Sequence, residues 1–554
     1  MSAALIGGVS LLCFFLAYRF YGKFIERRIF STSHDAKTPS VELEDGIDYV
    51  PTRASILFGH HFSSIAGAAP IVGPAIAVIW GWLPAVVWIL VGSIFIGGVH
   101  DMGSLIVSAR HKGKSIAEVA KSVISPRTRI LFMFIIFFAL LVVMAVFALV
   151  IALLFISFPA AVLPILMQTP VALALGYLIY RKRQTHLFTL TLAMVCLLYF
   201  FMWLGTIVPI KVPPIFFSSE ILTWVVILMA YVYTASTLPV WVLLQPRDYI
   251  NSYLLLLTLG SLYLGLFVAH PTITAPAIVA SPPGAPPILP FLFITIACGA
   301  ISGFHALVSS GTTVKQMSLE TDSRPIAYGG MLAEGALAIV AALACTAGFA
   351  SRASWGQHYA SWSAASGFMI KITAFVNGAG GFLESLGIPA SIATTIVSVT
   401  IIAFAATSLD TATRLQRYII AELASSVRVP ALQRRHPATI IAVGSAFGLT
   451  LINGGKGGMI LWPLFGTINQ LMAGLTFLVL TIYLLSKNKP VLYTAVPMGF
   501  LMIFTTAALV HDLRGFAAKQ NWLLFGIGVA VALLELWFIV EGALIIKKSR
   551  SVSA

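Results

Sequence analysis

Fifteen apolar runs, each long enough to cross a bilayer, constrain the fold of this sequence more than any other feature. A spanning helix needs about 20 apolar residues. Only 10% of this chain is charged, against about 25% in soluble domains. We therefore predict an all-α integral membrane protein with about 15 transmembrane helices. The runs fall near residues 3–21, 62–80, 83–108, 130–156, 159–180, 187–209, 221–244, 252–270, 291–313, 326–350, 388–409, 437–452, 459–485, 490–510 and 522–546.

The lysines and arginines support this topology. When the N-terminus is placed outside and successive runs alternate sides, six of the 34 cations lie outside and the other 28 lie inside. This asymmetry follows the positive-inside rule, so we predict an outside N-terminus and a cytoplasmic C-terminus. It also explains the net charge of +15 without a nucleic-acid partner. The outside cations are Lys211, Arg352, Lys371, Lys456, Arg514 and Lys519.

Helix-breaking residues interrupt the second apolar run. Pro70 and Pro74 lack the N–H that a continuous helix needs, and Gly67 and Gly73 weaken the helix further. Freed backbone groups are tolerated at membrane depth only where they line a cavity or are buried in protein. The pattern predicts a discontinuous helix that holds a substrate, although a proline-kinked structural helix is the alternative. The candidate binding residues here are Ser63, Ser64, Gly67 and Pro70.

The order of the runs predicts two inverted repeats. Five runs lie between residues 62 and 209 and five more between 221 and 409, and an odd-numbered unit placed twice in succession must be inverted. The first run of the second five ends in Thr234–Pro239, which we interpret as a matching interruption. Candidate binding residues there are Ser236, Thr237 and Pro239, with Gln245 at the inner end. The predicted units are 1–61 (first helix and acidic loop), 62–209, 210–420 and the C-terminal helices and tail 421–554.

Ionisable and hydroxyl side chains within apolar runs are candidates for ion coupling, because a charge at mid-bilayer costs roughly 2.5–3.5 kcal/mol on insertion scales. Histidine near Asp101 suits a proton relay, whereas a helix-end carboxylate paired with a loop cation is the alternative. Hydroxyl oxygens suit Na⁺, and close packing of small residues is the alternative for them. The candidates are His60, His61, Asp101 and His305 for protons, and Ser309 and Ser310 for Na⁺.

Other buried charges favour structural roles. Asp410 and Arg414 stand four residues apart, which predicts an ion pair along one helix. Glu334, early in the run near 326–350, is expected to make a structural hydrogen bond. The four cysteines form no C-x-x-C pair, so no disulfide or metal framework is predicted.

Several motifs together resemble the carbon starvation protein A (CstA) family over most of the chain to about residue 420. The resemblance implies a transporter of the bacterial or archaeal cytoplasmic membrane that scavenges nutrients, with family members associated with peptide uptake and relatives with proton-coupled pyruvate uptake. It further implies a LeuT-like 5+5 inverted repeat of the amino acid–polyamine–cation superfamily, with one extra N-terminal and about four extra C-terminal helices. Ala69 departs from the glycine of many members and leaves the substrate open. The motifs are Asp45–Thr52, Gly59–Gly67, Pro70–Pro74, Trp80–Pro84, Val99–Asp101, Leu238–Tyr249, Cys298–His305 and Ser309–Thr313.

We therefore expect a secondary active transporter that imports peptides and is coupled to protons. A pyruvate or small-monocarboxylate symporter is the alternative, and a channel or membrane sensor fits less well. An enzyme is not expected, since the chain lacks a Walker loop, an H-E-x-x-H motif and a G-x-S-x-G motif. Beyond H⁺ or Na⁺ as coupling ion we expect no cofactor or metal. The partners are the small-molecule substrate and the bilayer, and no sequence feature specifies an oligomeric state.

Overall fold

A computed structural model describes residues 1–181 and 187–553, and helices account for most of them, with no β-sheet among these residues. The helices of the first half are α1 Ala3–Phe30, α2 Ala54–Ala66, α3 Ala69–Trp80, α4 Trp82–Ala109, α5 Ile116–Val123, α6 Pro126–Ser157, α7 Pro159–Ile179, α8 Phe188–Ile207, α9 Glu220–Thr237 and α10 Leu244–Ala269. Those of the second half are α11 Ile288–Thr295, α12 Gly303–Gly311, α13 Glu320–Ala347, α14 Phe368–Glu384, α15 Ala390–Ser426, α16 Arg435–Leu451, α17 Gly457–Ser486, α18 Leu492–Ala518 and α19 Trp522–Ile545.

The described residues contain 12 helices long and apolar enough to span a membrane, or 13 when the bent pair α2 and α3 counts as one span. The other two predicted runs are also helical. Residues 291–313 are divided between α11 and α12, and residues 437–452 lie within the 17-residue α16. The all-α multi-pass architecture is therefore confirmed, while the count of about 15 crossings stays a prediction. The predicted inside cations Lys182 and Arg183 lie outside the described residues.

The predicted break in the second run is present. The chain leaves α2 after Ala66, bends by 43° and enters α3 at Ala69. Gly67 has a φ of +42°, a conformation that glycine adopts more readily than other residues. Pro70 lies in the first turn of α3, where a missing N–H costs no helical hydrogen bond. The helix breakers read from the sequence thus produce a discontinuous span.

The interruption predicted within residues 221–244 is wrong. α9 runs without a break from Glu220 to Thr237, and Pro239 lies in the turn after it. A residue that precedes proline disfavours the helical conformation, and Leu238 is extended with a ψ of 151°. The proline therefore ends this helix instead of dividing it, and the placement of the second repeat at 210–420 loses its main support.

A second break does exist, between α11 and α12, where Gly299 has a φ of +91°. Side chains of neighbouring helices satisfy the backbone groups freed there, as burial at membrane depth requires. Trp88 Nε1 donates to the carbonyl of Ile296 over 3.0 Å. Gln470 Nε2 donates to the carbonyl of Ile301 over 3.2 Å. The two breaks meet, since a Cβ on Gly299 would lie 3.5 Å from Cβ of Pro70.

The same order of elements follows each break. A helix of 28 residues comes first (α4 or α13). The next helix (α5 or α14) is not among the candidate spans. A long helix of 32 or 37 residues follows (α6 or α15), and these two long helices pack against each other. Two further helices complete each series, namely α7 and α8 or α16 and α17. The pair α9 and α10 lies between the two series.

Candidate functional site

A cavity of about 760 Å³ reaches the two breaks from one end of the molecule. Its mouth includes the segment 284–287 and residues of α14 and α18, an end that the charge pattern predicts to face outside. We call it the outer cavity. Ala68 and Ala69 from the first break and Ala297 and Cys298 from the second line its deep part. No side chain caps the N-terminus of α3, so its partial positive charge is available to a bound anion.

The lining of the outer cavity is mainly apolar, and it also includes the ionisable side chains of Lys371, His511, Asp512 and Lys519. Lys371 exposes only 9% of its surface, and its ammonium makes no hydrogen bond or ion pair with the described residues. Burial lowers the pKa of Lys371 to about 8. Oδ2 of Asp512 accepts a hydrogen bond from Thr467 Oγ1 over 3.2 Å. The aromatic lining is Phe147, Phe291, Trp362, Phe368, Trp462, Phe465 and Phe516.

A buried line of acids and bases, which we call the acid–base chain, begins at the second break. Oε1 of Glu334 accepts from the N–H of Gly299 over 3.0 Å, and Oε2 lies 3.3 Å from Nε2 of His305. Nδ1 of His305 is 2.9 Å from Oδ2 of Asp101. Oδ1 of Asp101 is 2.8 Å from Nδ1 of His100. Because imidazole and carboxylate alternate at hydrogen-bond or ion-pair distance, the chain can pass a proton along its length.

The candidate residues of α2 are buried and bonded to neighbouring helices, and neither they nor the candidates Gly67 and Pro70 at the break line the outer cavity. His60 Nδ1 lies 2.7 Å from Asp248 Oδ2. His61 Nδ1 lies 2.9 Å from Thr313 Oγ1. The structure thus brings the predicted residues around the first break together, but through contacts that hold α2 against α10, α15 and the end of α12. The hydroxyl contacts are Ser63 Oγ to the Asp248 carbonyl (3.2 Å), Ser64 Oγ with Thr411 Oγ1 (3.0 Å) and Ser408 Oγ to the Ser64 carbonyl (3.0 Å).

The ion pair predicted between Asp410 and Arg414 does not form. Asp410 instead pairs with Arg247 of α10, which also contacts Asp248 over 3.0 Å. Arg414 reaches Asp48 in the loop before α2, with an Nη1–Oδ1 distance of 2.6 Å. The i, i+4 spacing favours a pair only when no closer partner competes, and here tertiary neighbours supply one for each residue.

The candidates of the predicted second interruption lie apart from the outer cavity. Ser236 is buried with no partner for its hydroxyl among the described residues. Thr237 and Pro239 are in the last turn of α9 and the turn after it. Gln245 donates to Thr52 Oγ1 over 2.8 Å and to Gln316 Oε1 over 2.6 Å. Of these residues, Gln245 holds the 45–52 segment at the predicted inner end through its contact with Thr52.

The two serines proposed for Na⁺ lie on α12. Ser310 Oγ donates to the carbonyl of Ala306 over 2.6 Å and accepts from the N–H of Ile116 over 3.1 Å. Ser309 is buried, and its hydroxyl has no hydrogen-bond partner among the described residues. Ser309 is therefore the better candidate of the two, and its Na⁺ role stays a prediction.

One cluster among the described residues has ligand atoms close enough for a metal ion. Single ligand atoms of Cys298, His305 and Glu334 lie within 4.8 Å of one another. The direct 3.3 Å contact between His305 and Glu334 accounts for their closeness, so we assign this cluster to the acid–base chain.

The charged residues of the outer cavity were not predicted from the sequence as site residues, and neither was Glu334 of the acid–base chain. Lys371 was counted only as an outside loop cation, and Glu334 was assigned to a structural hydrogen bond. Arg247 was counted as a loop cation although it is 3% exposed within α10. An available signal was the apolar surroundings of Lys371, because Phe368-Met-Ile precedes it and Ile-Thr-Ala-Phe-Val follows it.

The family model described as Carbon starvation protein CstA matches residues 2–355 and 357–508. The chain is 33% identical to a protein named Peptide transporter CstA from Campylobacter jejuni, covering 90% of this chain and 78% of the relative. It is 32% identical to the Peptide transporter CstA of Escherichia coli, with 90% and 80% coverage. It is 31% identical to the Pyruvate/proton symporter BtsT of Escherichia coli, with 92% and 81% coverage.

Among solved structures, the chain is similar to a manganese transporter from Eremococcus coleocola. The TM-score is 0.46 at 16% identity, with 91% of this chain and 99% of the other covered.

Proposed function

Because the chain belongs to the carbon starvation protein CstA family, and is a multi-pass membrane transporter and not an enzyme, we propose that it imports peptides together with protons. The observation that carries this proposal is the position of the acid–base chain directly below the outer cavity. Cys298 lines that cavity, and its Sγ lies within 4.8 Å of ligand atoms of His305 and Glu334. A substrate at the breaks and a proton on Glu334 would therefore occupy adjacent sites.

The orientation with the N-terminus outside supports the direction of transport. In that orientation the outer cavity opens to the exterior, and the opposite end is closed by the 45–52 segment. Val50 N–H donates to the Lys315 carbonyl over 3.1 Å, and Asp48 pairs with Arg414 and Arg417. A proton moving inward gains about 2.3 kcal/mol per 100 mV of membrane potential, which is enough to drive uptake against a gradient.

Alternating access would follow from movement at the two breaks. The recurring order of helices suggests repeats that begin at α2 and α11, with α9 and α10 inserted between them, in place of the boundaries at 62 and 210. Such repeats set the substrate at the crossing of two discontinuous spans, as in other transporters of this kind. The wide outer cavity and the closed inner end then correspond to one of two end states.

Pyruvate is the second candidate substrate, because one relative is named a pyruvate/proton symporter. Lys371 and the uncapped N-terminus of α3 offer positive charge to any carboxylate. The volume of about 760 Å³ favours a larger substrate, because it lies within the roughly 300–1,000 Å³ typical of sites for drug-sized ligands.

Transport by the purified full-length protein in proteoliposomes tests this function. Radiolabelled L-alanyl-L-alanine and pyruvate are supplied with an imposed proton gradient, an imposed Na⁺ gradient, or neither. We expect saturable accumulation of the dipeptide above equilibrium only with the proton gradient, and its collapse when a protonophore is added. Accumulation driven by the Na⁺ gradient alone would indicate Na⁺ coupling, with Ser309 as the candidate ligand. Flux that never exceeds equilibrium would indicate a channel.

A further inference from the structure

We propose that Lys371 and Asp512 form a two-point clamp in the outer cavity, in which Lys371 binds the carboxylate of a zwitterionic peptide and Asp512 binds its ammonium group. This inference rests on the proposed function and names the substrate class of the same cavity. It also predicts which of the two candidate substrates fits better, because pyruvate carries no ammonium group.

Lys371 is a buried cation without a counter-charge. It exposes 9% of its surface, and the described residues offer its ammonium neither an ion pair nor a hydrogen bond. A buried charge is costly unless it is paired, so such a lysine implies that a partner arrives from elsewhere. Lys371 lines the outer cavity, which makes a bound carboxylate the natural partner.

Asp512 supplies the opposite charge to the same cavity. Its one side-chain hydrogen bond among the described residues comes from Thr467 and uses Oδ2. A carboxylate accepts several hydrogen bonds, so Oδ1 and the free lone pair of Oδ2 remain for a donor. Besides Cys298, the other ionisable side chains that line the cavity are His511 and Lys519. Asp512 is therefore the one acidic partner that the cavity offers to an ammonium group.

The two groups belong to different sides of the cavity. Lys371 is on α14, which packs against α3, the outer half of the first broken span. Asp512 is on α18, which packs against α11, the outer half of the second. The neighbouring His511 ring lies 4.9 Å from the ring of Phe291 in α11. No ion pair joins Lys371 and Asp512 within the described structure, so the two charges do not satisfy each other and each remains available to a ligand in the outer cavity.

The remaining lining suits the variable side chains of peptides. Aromatic rings such as Trp462 and Phe465, stacked with centroids 5.0 Å apart, offer apolar surface without a hydrogen-bond pattern that would select one side chain. Charge recognition at two ends combined with an apolar middle would accept many peptides and reject blocked ones. A monocarboxylate would satisfy Lys371 and leave the Asp512 charge unpaired.

Binding of matched peptide analogues tests the clamp on the purified full-length protein. Isothermal titration calorimetry in detergent compares L-alanyl-L-alanine with its N-acetyl form, its C-terminal amide and pyruvate. For the unmodified protein we expect each blocked peptide to bind about tenfold to hundredfold more weakly, the effect of losing one hydrogen bond to a charged group. Because this arm needs no substitution, misfolding of a variant cannot obscure it.

The variants Lys371→Met and Asp512→Asn identify which end each residue binds. Asp512→Asn should weaken the free dipeptide about tenfold or more and leave the N-acetyl form unchanged. Lys371→Met should weaken both of these and leave the C-terminal amide unchanged. Arg514→Gln is the matched control, since this cation is exposed two residues from Asp512 and does not line the cavity, and it should alter affinity less than twofold.

Dipeptide counterflow in proteoliposomes separates the two proposals. If the dipeptide is neither bound nor exchanged, the proposed peptide function fails. If it is exchanged while the blocked peptides bind as well as the free one, the clamp fails and the function stands. Equal losses in the Arg514→Gln control would also overturn the clamp, because they would reflect general electrostatic attraction.

Discussion

The backbone N–H of Gly299 donates a hydrogen bond to Oε1 of Glu334 over 3.0 Å. This contact joins the second helix break to the first member of the acid–base chain. The other carboxylate oxygen faces His305 at 3.3 Å. In the proposed transport cycle, a change in the charge of Glu334 would act directly on the backbone of the second break and so link protonation to conformational change.

Glu334→Gln should separate coupling from transport. Glutamine keeps an oxygen acceptor for Gly299 but cannot exchange a proton. We expect proton-driven dipeptide accumulation to fall at least tenfold, while exchange of dipeptide across the membrane without a gradient persists. Paired measurements of uptake and counterflow in proteoliposomes check this. The control is Ser236→Ala, which changes a buried serine of α9 that is not part of the acid–base chain. This variant should keep both activities.

Asp48→Asn should weaken closure of the predicted inner end. Burial raises the pKa of Asp48, but the guanidinium groups of Arg414 and Arg417 lower it further, so the net pKa lies below the ordinary 3.8. A carboxylate with a lowered folded-state pKa stabilises the protein above its unfolded value and loses this contribution as the pH falls below about 3.8. The full contribution is therefore present at neutral pH.

Removing this carboxylate leaves two buried cations without their partner, which typically costs about 3–5 kcal/mol. The loss should appear as a lower unfolding temperature at pH 7 and as faster labelling of a cysteine introduced at Thr52, on the inner side. Asp45→Asn, which changes an exposed acid in the same loop, should cost less. An unchanged unfolding temperature for Asp48→Asn would contradict the role of this contact.

The pKa of Lys371 predicts a pH dependence of stability at alkaline pH. Burial lowers it from 10.5 to about 8, so between these values the unfolded chain binds more protons than the folded one. Stability should therefore rise with pH in this window. The other ionisable side chains that line the cavity are Cys298, His511, Asp512 and Lys519. Thermal unfolding between pH 7.5 and pH 10 (about the window set by this linkage) should show a positive slope that Lys371→Met removes.

Carboxylate binding should follow the opposite trend. Above about pH 8 the free protein loses the Lys371 charge, so affinity for the N-acetyl dipeptide, which has no ammonium group of its own to titrate, should fall. Calorimetric titrations across the same pH range measure this effect, and Lys371→Arg, which stays charged, should flatten the profile. Affinity that rises with pH in the unmodified protein would contradict a cationic Lys371 in the site.

The glycine at the second break should not tolerate a side chain. Gly299 has a φ of +91°, and a Cβ there would lie 2.5 Å from Cβ of Ala338. Gly299→Ala should therefore cost about 1–3 kcal/mol from backbone strain alone and abolish transport. Gly260→Ala is the matched control, since no atom lies within 4 Å of a Cβ at that helical position. Unfolding temperature and counterflow report the two effects.

The first break and the general architecture were predictable because they follow from local chemistry. The prolines and Gly67 interrupt the helix of the second apolar run whichever helices it packs against. The second break was not identified, since residues 296–302 contain no proline and their conformation depends on Trp88, Gln470 and Glu334 from other helices. In contrast, Pro239 gave a misleading signal because it sits at a helix end. The pairings of Arg247, Asp410 and Arg414 depend in the same way on which helices become neighbours.

Cys298 gives this protein a built-in reporter of its own cycle. Of the cysteines in the described residues, Cys13, Cys196, Cys298 and Cys345, it alone lines the outer cavity. In the orientation with the N-terminus outside that we propose, a membrane-impermeant thiol reagent applied from the exterior would reach its sulfur only during the fraction of time that the pathway is open to that side. The rate at which Cys298 is modified would therefore measure how often the pathway opens. It could be followed in living cells without introducing a labelling site into the protein.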